Sequence, residues 1–406
     1  MNARFRSLWW VNPAGYLLLL LLPLFVVSAW LGAPLLSEFG MSNFLTPETI
    51  WIGGGSIATL ALGCMAGGGT RRTERGAGPG LSFDPQRYDL VLILLIVISV
   101  CAHLLLLAPI LAKPSLVFSV VSGERGANFE AKDAAFRLVG VTSLTNLSML
   151  CLTMSSIRFV SRGAFSPSRL WTLALAALSV LILAHAFLAS ERLKIVENAV
   201  AFSLPLFSYW PRLRLLGGVS PVLGFGAILS IFALGEYQRS WAYYQSQYNS
   251  FWEFVVLRLM AYISGASNTG AGIVSRLDPI GRPTMTGRWM VVATGEEHEP
   301  TAVFLQKYGN LEYNNPSGIF AAVGDYGTMG FVYLFLFGLM IGFLYRMYSS
   351  KEPIGLIAYP LVFIGFTDLT QVWYWGEPRF IPQIIALVVV LAYVLRKPSL
   401  RRPALG

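Results

Sequence analysis

Charge is scarce in this chain: Asp, Glu, Lys and Arg make up 13% of it, against 55% hydrophobic residues. Cysteine and histidine are rarer, with three of each. Cys64, Cys101 and Cys151 all lie in apolar runs, so neither a disulfide framework nor a metal-type cysteine spacing is expected. His103 and His185 sit singly in such runs and read as buried structural residues. His298 is left as the histidine outside them. No Walker A sequence, GxGxxG, HExxH or His/Cys cluster occurs, which argues against an ATP-driven pump and a zinc protease. No metal and no cofactor is expected.

Long apolar runs are plentiful. About ten reach or approach the roughly 20 residues that cross a bilayer: 13–36, 50–69, 89–111, 137–157, 170–189, 195–210, 217–235, 326–345, 354–372 and 379–395. The run 137–157 is diluted by Thr, Ser and Asn146. The run 195–210 is short, carries Glu197, Asn198 and Pro205, and suits a re-entrant segment covered by protein or water. Met1–Trp10 resembles the start of a signal peptide, but the following run has full span length and no cleavage-type site, so it reads as a retained first helix. The expected fold is an all-α polytopic membrane protein. Residues 1–406 form one integral membrane domain, with 236–316 as a polar subdomain inserted between spans.

Basic residues orient this layout. More than half of the 30 Lys and Arg fall in the termini and in the Arg71–Arg87, Arg158–Arg169, Arg212–Arg214 and Arg346–Lys351 connections, beside few acids. By the positive-inside rule that side is cytoplasmic. The net charge of +9 is then mostly a topological signal, and no nucleic-acid partner is expected. The long polar stretch faces outward.

That stretch combines arginines with aromatics. Glu236–Ile263 reads as one amphipathic helix, with Tyr237, Trp241, Tyr244, Tyr248, Phe251, Trp252, Val255, Leu259 and Tyr262 on one stripe. An interfacial helix with its aromatic face in the headgroups is the plain reading. Arg258 falls at the stripe's edge, which places it near headgroup depth. Ser264–Gly295, rich in Gly, Ser, Asn, Thr and Pro, reads as an irregular loop carrying Arg276, Arg282 and Arg288. His298 lies in an acidic turn, Glu296–Glu299. Asp325 lies at the outer end of a glycine-rich helix, where a carboxylate requires a partner or a role. Two shorter outer segments are Ser190–Lys194, with local pairing of Lys194 and Glu197 expected, and Trp373–Arg379, where an aromatic belt is the plain account.

The order Ser190-x-Arg192, the Arg239–Tyr262 helix with Arg258, and Asn314-Asn315-x-Ser317-Gly318 followed by Gly324-Asp325-Tyr326-Gly327-x-x-Gly330 resembles Wzy-type O-antigen and capsule polymerases. The resemblance runs roughly from Leu170 to the end, on short, loose motifs. It departs from the related O-antigen ligases, which often carry a His where Asn314 and Asn315 stand here. It implies a metal-independent glycosyltransferase of the bacterial inner membrane, acting on its periplasmic side. Donor and acceptor would be oligosaccharide repeat units on undecaprenyl pyrophosphate, with membrane lipid and a chain-length regulator as further partners.

Charge developing on the leaving pyrophosphate calls for preorganised cations, and the arginine fork matches phosphate oxygens. Arg192, Arg258 and Arg379 are expected to hold the pyrophosphate, with Arg276 or Arg288 closing from the loop. Asp325 is the expected general base and His298 its reserve. Trp241, Trp252, Tyr326, Trp373 and Trp375 are candidates for sugar contact. An O-antigen ligase or another polyprenyl-phosphate-dependent glycosyltransferase is the alternative enzyme. A lipid-linked glycan transporter or flippase is the alternative outside catalysis, disfavoured because the charges collect outside the spans.

Overall fold

The computed structural model describes residues 8–69, 82–124, 126–135, 142–161, 169–189, 191–210, 213–279, 281–295, 300–310, 313 and 315–396. Among them the chain is almost wholly helical, and the one sheet is a short antiparallel pairing of Ser82–Phe83 with Leu395–Arg396. Side-chain caps and proline set several helix starts. Asn12, Thr46 and Asp84 each accept backbone N–H groups just ahead of a helix whose first residue is Pro13, Pro47 or Pro85. Proline fits there because its missing N–H would have no partner inside the helix.

Among the described residues six helical stretches are long and apolar enough to cross a membrane: Pro13–Gly32, Pro47–Gly68, Pro85–Leu111, Arg169–Leu188, Leu215–Glu236 and Met329–Ser349. The protein is an all-α membrane-embedded protein. The other four expected runs form shorter helices, Leu147–Val160, Leu193–Tyr209, Pro353–Asp368 and Ile381–Val394. Pro353–Asp368 lies at the centre, with Gly355 to Phe366 buried throughout. It packs against Met329–Ser349, Leu193–Tyr209 and Leu147–Val160. Leu215–Glu236 is the opposite case and turns nearly all of its surface outward, with Leu215, Val222 and Leu223 exposed.

The tightest helix pair is Pro47–Gly68 with Met329–Ser349. A Cβ at Gly63 would meet the Phe335 carbonyl, and one at Gly338 would meet the Leu60 carbonyl. Small residues at such crossings let two backbones approach and gain dispersion contact, which drives helix association in lipid.

The polar stretch departs from its expected form. The helix predicted over Glu236–Ile263 is interrupted by a turn after Tyr244 and restarts at Phe251, where the Ser250 hydroxyl caps the Glu253 N–H. It then continues to Arg276 and takes in half of the region expected to be loop. Residues Ser264 to Ile273 are buried in it. Their small and polar side chains serve packing: Gly272 lies against the Phe304 ring, and the Ser264 hydroxyl donates to the Ser28 carbonyl at 2.8 Å. Asn268 accepts from the Phe44 N–H at 2.6 Å and donates to the Ser42 carbonyl at 2.8 Å. The helix is thereby fastened to the segment that precedes Pro47.

Candidate functional site

Glu236 ends the Arg214–Glu236 helix and has no exposure. Its two oxygens are divided between two arginines. Arg192 Nη1 donates to Oε1 at 2.9 Å, and Arg258 Nε donates to Oε2 at 3.1 Å. Arg192 stands just ahead of Leu193–Tyr209, and Arg258 lies one turn beyond the middle aromatics of Phe251–Arg276.

Arg258 is only 1% exposed, so it does not sit at a headgroup surface as its edge position had suggested. Its Nη1 donates to the Tyr313 hydroxyl at 3.0 Å. The rings of Tyr244, Phe254, Tyr262 and Tyr313 surround its guanidinium with centroids 5.2 to 5.8 Å from Cζ. Tyr244 and Tyr262 of the predicted stripe, with Phe254 and Tyr313, form a cation cage in which ring faces supply negative potential to a desolvated charge. Arg192 keeps 20% of its side chain exposed and lies over Phe232, its Cζ 5.1 Å from the ring centroid. Gly235 makes room for it, since a Cβ there would overlap the Arg192 Nε.

Asp325 closes the short helix Gly318–Tyr326 and is fully buried. Its Oδ1 accepts from the Thr284 N–H and hydroxyl and the Met285 N–H, and its Oδ2 from the N–H and hydroxyl of Thr286 and again from Met285. Five donor groups fill the roughly four acceptor positions a carboxylate offers. All five come from Thr284–Thr286, so in this structure the Asp325 carboxylate fastens that loop to the end of the helix. The folded loop packs on Gly376, whose Cβ would strike the Thr286 carbonyl. It also carries Arg288, whose Nη1 lies 3.5 Å from Glu377 Oε2.

The remaining predicted residues separate. Arg379, 35% exposed, bridges Glu197 at 3.3 Å and Asp368 at 3.0 Å. Arg276 is exposed, over the Phe44 ring. Trp252 is 60% exposed and Trp241 packs on Phe251 and Phe254. The Tyr326 hydroxyl is 3.2 Å from the Thr286 hydroxyl. Trp373 and Trp375 are buried in an aromatic cluster with Phe337, and the Trp375 indole N–H donates to the Val362 carbonyl at 2.9 Å. They are core residues, and no ring face is open to a sugar. His298 and Asn314 lie outside the described residues.

Asn315 and Ser317 tie elements together. Asn315 donates to Gln371 at 3.0 Å and Gln371 to the Tyr262 carbonyl at 3.2 Å, while the Ser317 hydroxyl donates to the Leu369 carbonyl at 3.4 Å. Lys194 donates to Asn146 and to Thr145 instead of pairing with Glu197. His103 and His185, read as solitary, meet with ring centroids 5.2 Å apart, and His185 lies 3.3 Å from Glu191. Burial opposes ionisation of Glu191, yet His185, Lys194 and Arg379 pull its pKa down to about 2.

No family model, no curated protein and no solved structure matches the chain. Among the described residues no group of three or more His, Cys, Asp or Glu is placed to hold a metal ion. The arginines paired to buried carboxylates are the most chemically specific feature of the molecule. Sequence reading found Arg192, Arg258 and Arg379 but missed Glu236, Asp368 and Tyr313. The signal available was the cost of a carboxylate inside or at the end of an apolar helix.

Proposed function

We propose that this protein is a membrane glycosyltransferase that polymerises undecaprenyl-pyrophosphate-linked oligosaccharide repeat units at the periplasmic face of a bacterial inner membrane. The observation that carries the reading is the Arg192–Glu236–Arg258 unit: two arginines fixed on one buried carboxylate that ends an apolar helix. Arg192, already oriented by Glu236, keeps 20% of its side chain exposed, so one guanidinium of the unit is held in place yet reachable before any substrate arrives. Preorganised charge of this kind stabilises a developing anion without reorganisation.

In the reaction, an acceptor sugar hydroxyl attacks the anomeric carbon of the donor. The new C–O bond forms as the bond to pyrophosphate breaks, the electron pair leaves on the phosphate oxygen, and the hydroxyl proton passes to the departing pyrophosphate or to water. Arg192, the more exposed member, faces the leaving group, and Arg258 holds Glu236 in place beneath it. The loop folded by Asp325 brings Arg288 beside Glu377, two residues from Arg379, which places two further guanidinium groups near one another. On this reading the four shorter helices complete a layout of about ten spans, and the basic connections face the cytoplasm by the positive-inside rule.

Incubating the purified protein with lipid-linked repeat units, with EDTA and without nucleotide, tests the reading. A ladder of glycan lengths is expected. Single additions to a different acceptor would replace polymerase with ligase, and no transfer at all would remove the glycosyltransferase reading.

A further inference from the structure

Arg379 anchors a second polar cluster among the helices. Glu197 and Asp368 are both fully buried there. The Arg379 Nη2 donates to Asp368 Oδ2 at 3.0 Å, and its Nη1 lies 3.3 Å from Glu197 Oε1. The two carboxyl groups also lie within hydrogen-bonding reach of each other. Even so, neither Glu197 oxygen receives a hydrogen bond from the described residues. Two acceptors face one another with no hydrogen between them.

Neighbouring side chains do not supply the missing hydrogen. Lys194, on the same helix as Glu197, lies within electrostatic reach of it but gives its hydrogen bonds to Asn146 and Thr145. Glu191 lies against His185, and Glu377 against Arg288. Tyr374 donates nothing to either carboxylate: its hydroxyl meets Met149 and Gln383. Tyr16, from the first helix, adds a neutral phenol beside Asp368. Among the described residues one guanidinium, that of Arg379, is the charged donor in contact with both desolvated carboxylates. An uncompensated buried charge costs several kcal/mol, and two adjacent carboxylates cannot both ionise cheaply.

We propose that Glu197 and Asp368 hold one proton between them as an O–H···O⁻ hydrogen bond, making the pair a proton-binding site inside the helix bundle. The shared proton satisfies the orphaned Glu197 oxygen and leaves a single negative charge, matched by Arg379. Charge-assisted hydrogen bonds of this type are short and strong. Under the polymerase reading the proton also keeps surplus negative charge away from an arginine assigned to the pyrophosphate. That consequence rests on the polymerase reading; the proton does not.

Infrared absorption of the purified full-length protein in lipid at neutral pH reads the proton directly. The expected result is a protonated-carboxyl C=O band that moves to lower frequency in D₂O. It should also shift when carboxyl-¹³C glutamate or aspartate is incorporated, and it should be lost in both Glu197→Gln and Asp368→Asn. The isotope labels assign the band in the unaltered protein, so the test stands even where a substitution prevents folding. Absence of the band, a band that responds to neither label, or one that survives both substitutions would overturn the proposal. No glycan enters the measurement, so its failure is separable from failure of the polymerase reading.

Discussion

Arg258 and Glu236 form an ion pair at 3.1 Å in which neither side chain is more than 1% exposed. A pair this well desolvated is held by geometry as much as by charge. Arg258 offers one N–H to the carboxylate and another to the Tyr313 hydroxyl, and a single ammonium cannot reproduce that fork. Arg258→Lys should therefore fail along with Arg258→Ala, each costing about 3–5 kcal/mol as a broken buried pair. Unfolding midpoints in detergent and the glycan ladder would both register it. Wild-type behaviour of the lysine variant in both measurements would reduce Arg258 to a replaceable charge.

Gly235→Ala separates the site from the fold. The added methyl meets the flexible end of Arg192 and no backbone, so the helix survives while the guanidinium is displaced from Glu236. Polymer growth should fall about as far as in Arg192→Ala, with an unfolding midpoint close to wild type. Full activity in Gly235→Ala would show that the Arg192–Glu236 contact is not needed.

Asp325→Asn should act through the loop. The amide keeps one acceptor oxygen but turns its NH₂ toward the Thr284–Thr286 donors, and hydrogen bonds to a charged group are worth about 1.5–3 kcal/mol each. Trypsin cleavage after Arg288 should accelerate, and KM for the lipid-linked donor should rise more than kcat falls. A pure loss of kcat with unchanged proteolysis would instead assign Asp325 as the base.

Orientation is testable with single cysteines in a background lacking Cys64, Cys101 and Cys151. Ser246 and Ser82 are both exposed. An impermeant maleimide applied to intact spheroplasts should label Ser246→Cys and leave Ser82→Cys unlabelled until the membrane is opened. The reverse pattern would invert the topology.

Much of the fold was legible because lipid solvation acts residue by residue. Each apolar run had to become a helix, since no other backbone form satisfies its own N–H and C=O groups in hydrocarbon. Ser264–Gly272 was misread for the same reason. Small and polar residues resemble loop in isolation, and only a neighbour such as the Phe304 ring or the Ser28 carbonyl makes them helix interior. Trp373 and Trp375 looked like a sugar platform because aromatics at a helix mouth are ambiguous until the ring faces are seen to be covered.

The sequence by itself determined the membrane class, the positions of the main apolar helices and the short list of arginines worth attention, because hydropathy and charge are local properties. Only the tertiary structure decided which acid each arginine meets. Glu236 lies 44 residues from Arg192 and 22 from Arg258, and Asp325 lies 41 from Thr284. Such pairings depend on which helix ends converge, and convergence is set by packing over the whole bundle, from the glycine crossing at Gly63 and Gly338 to the buried Pro353–Asp368 helix.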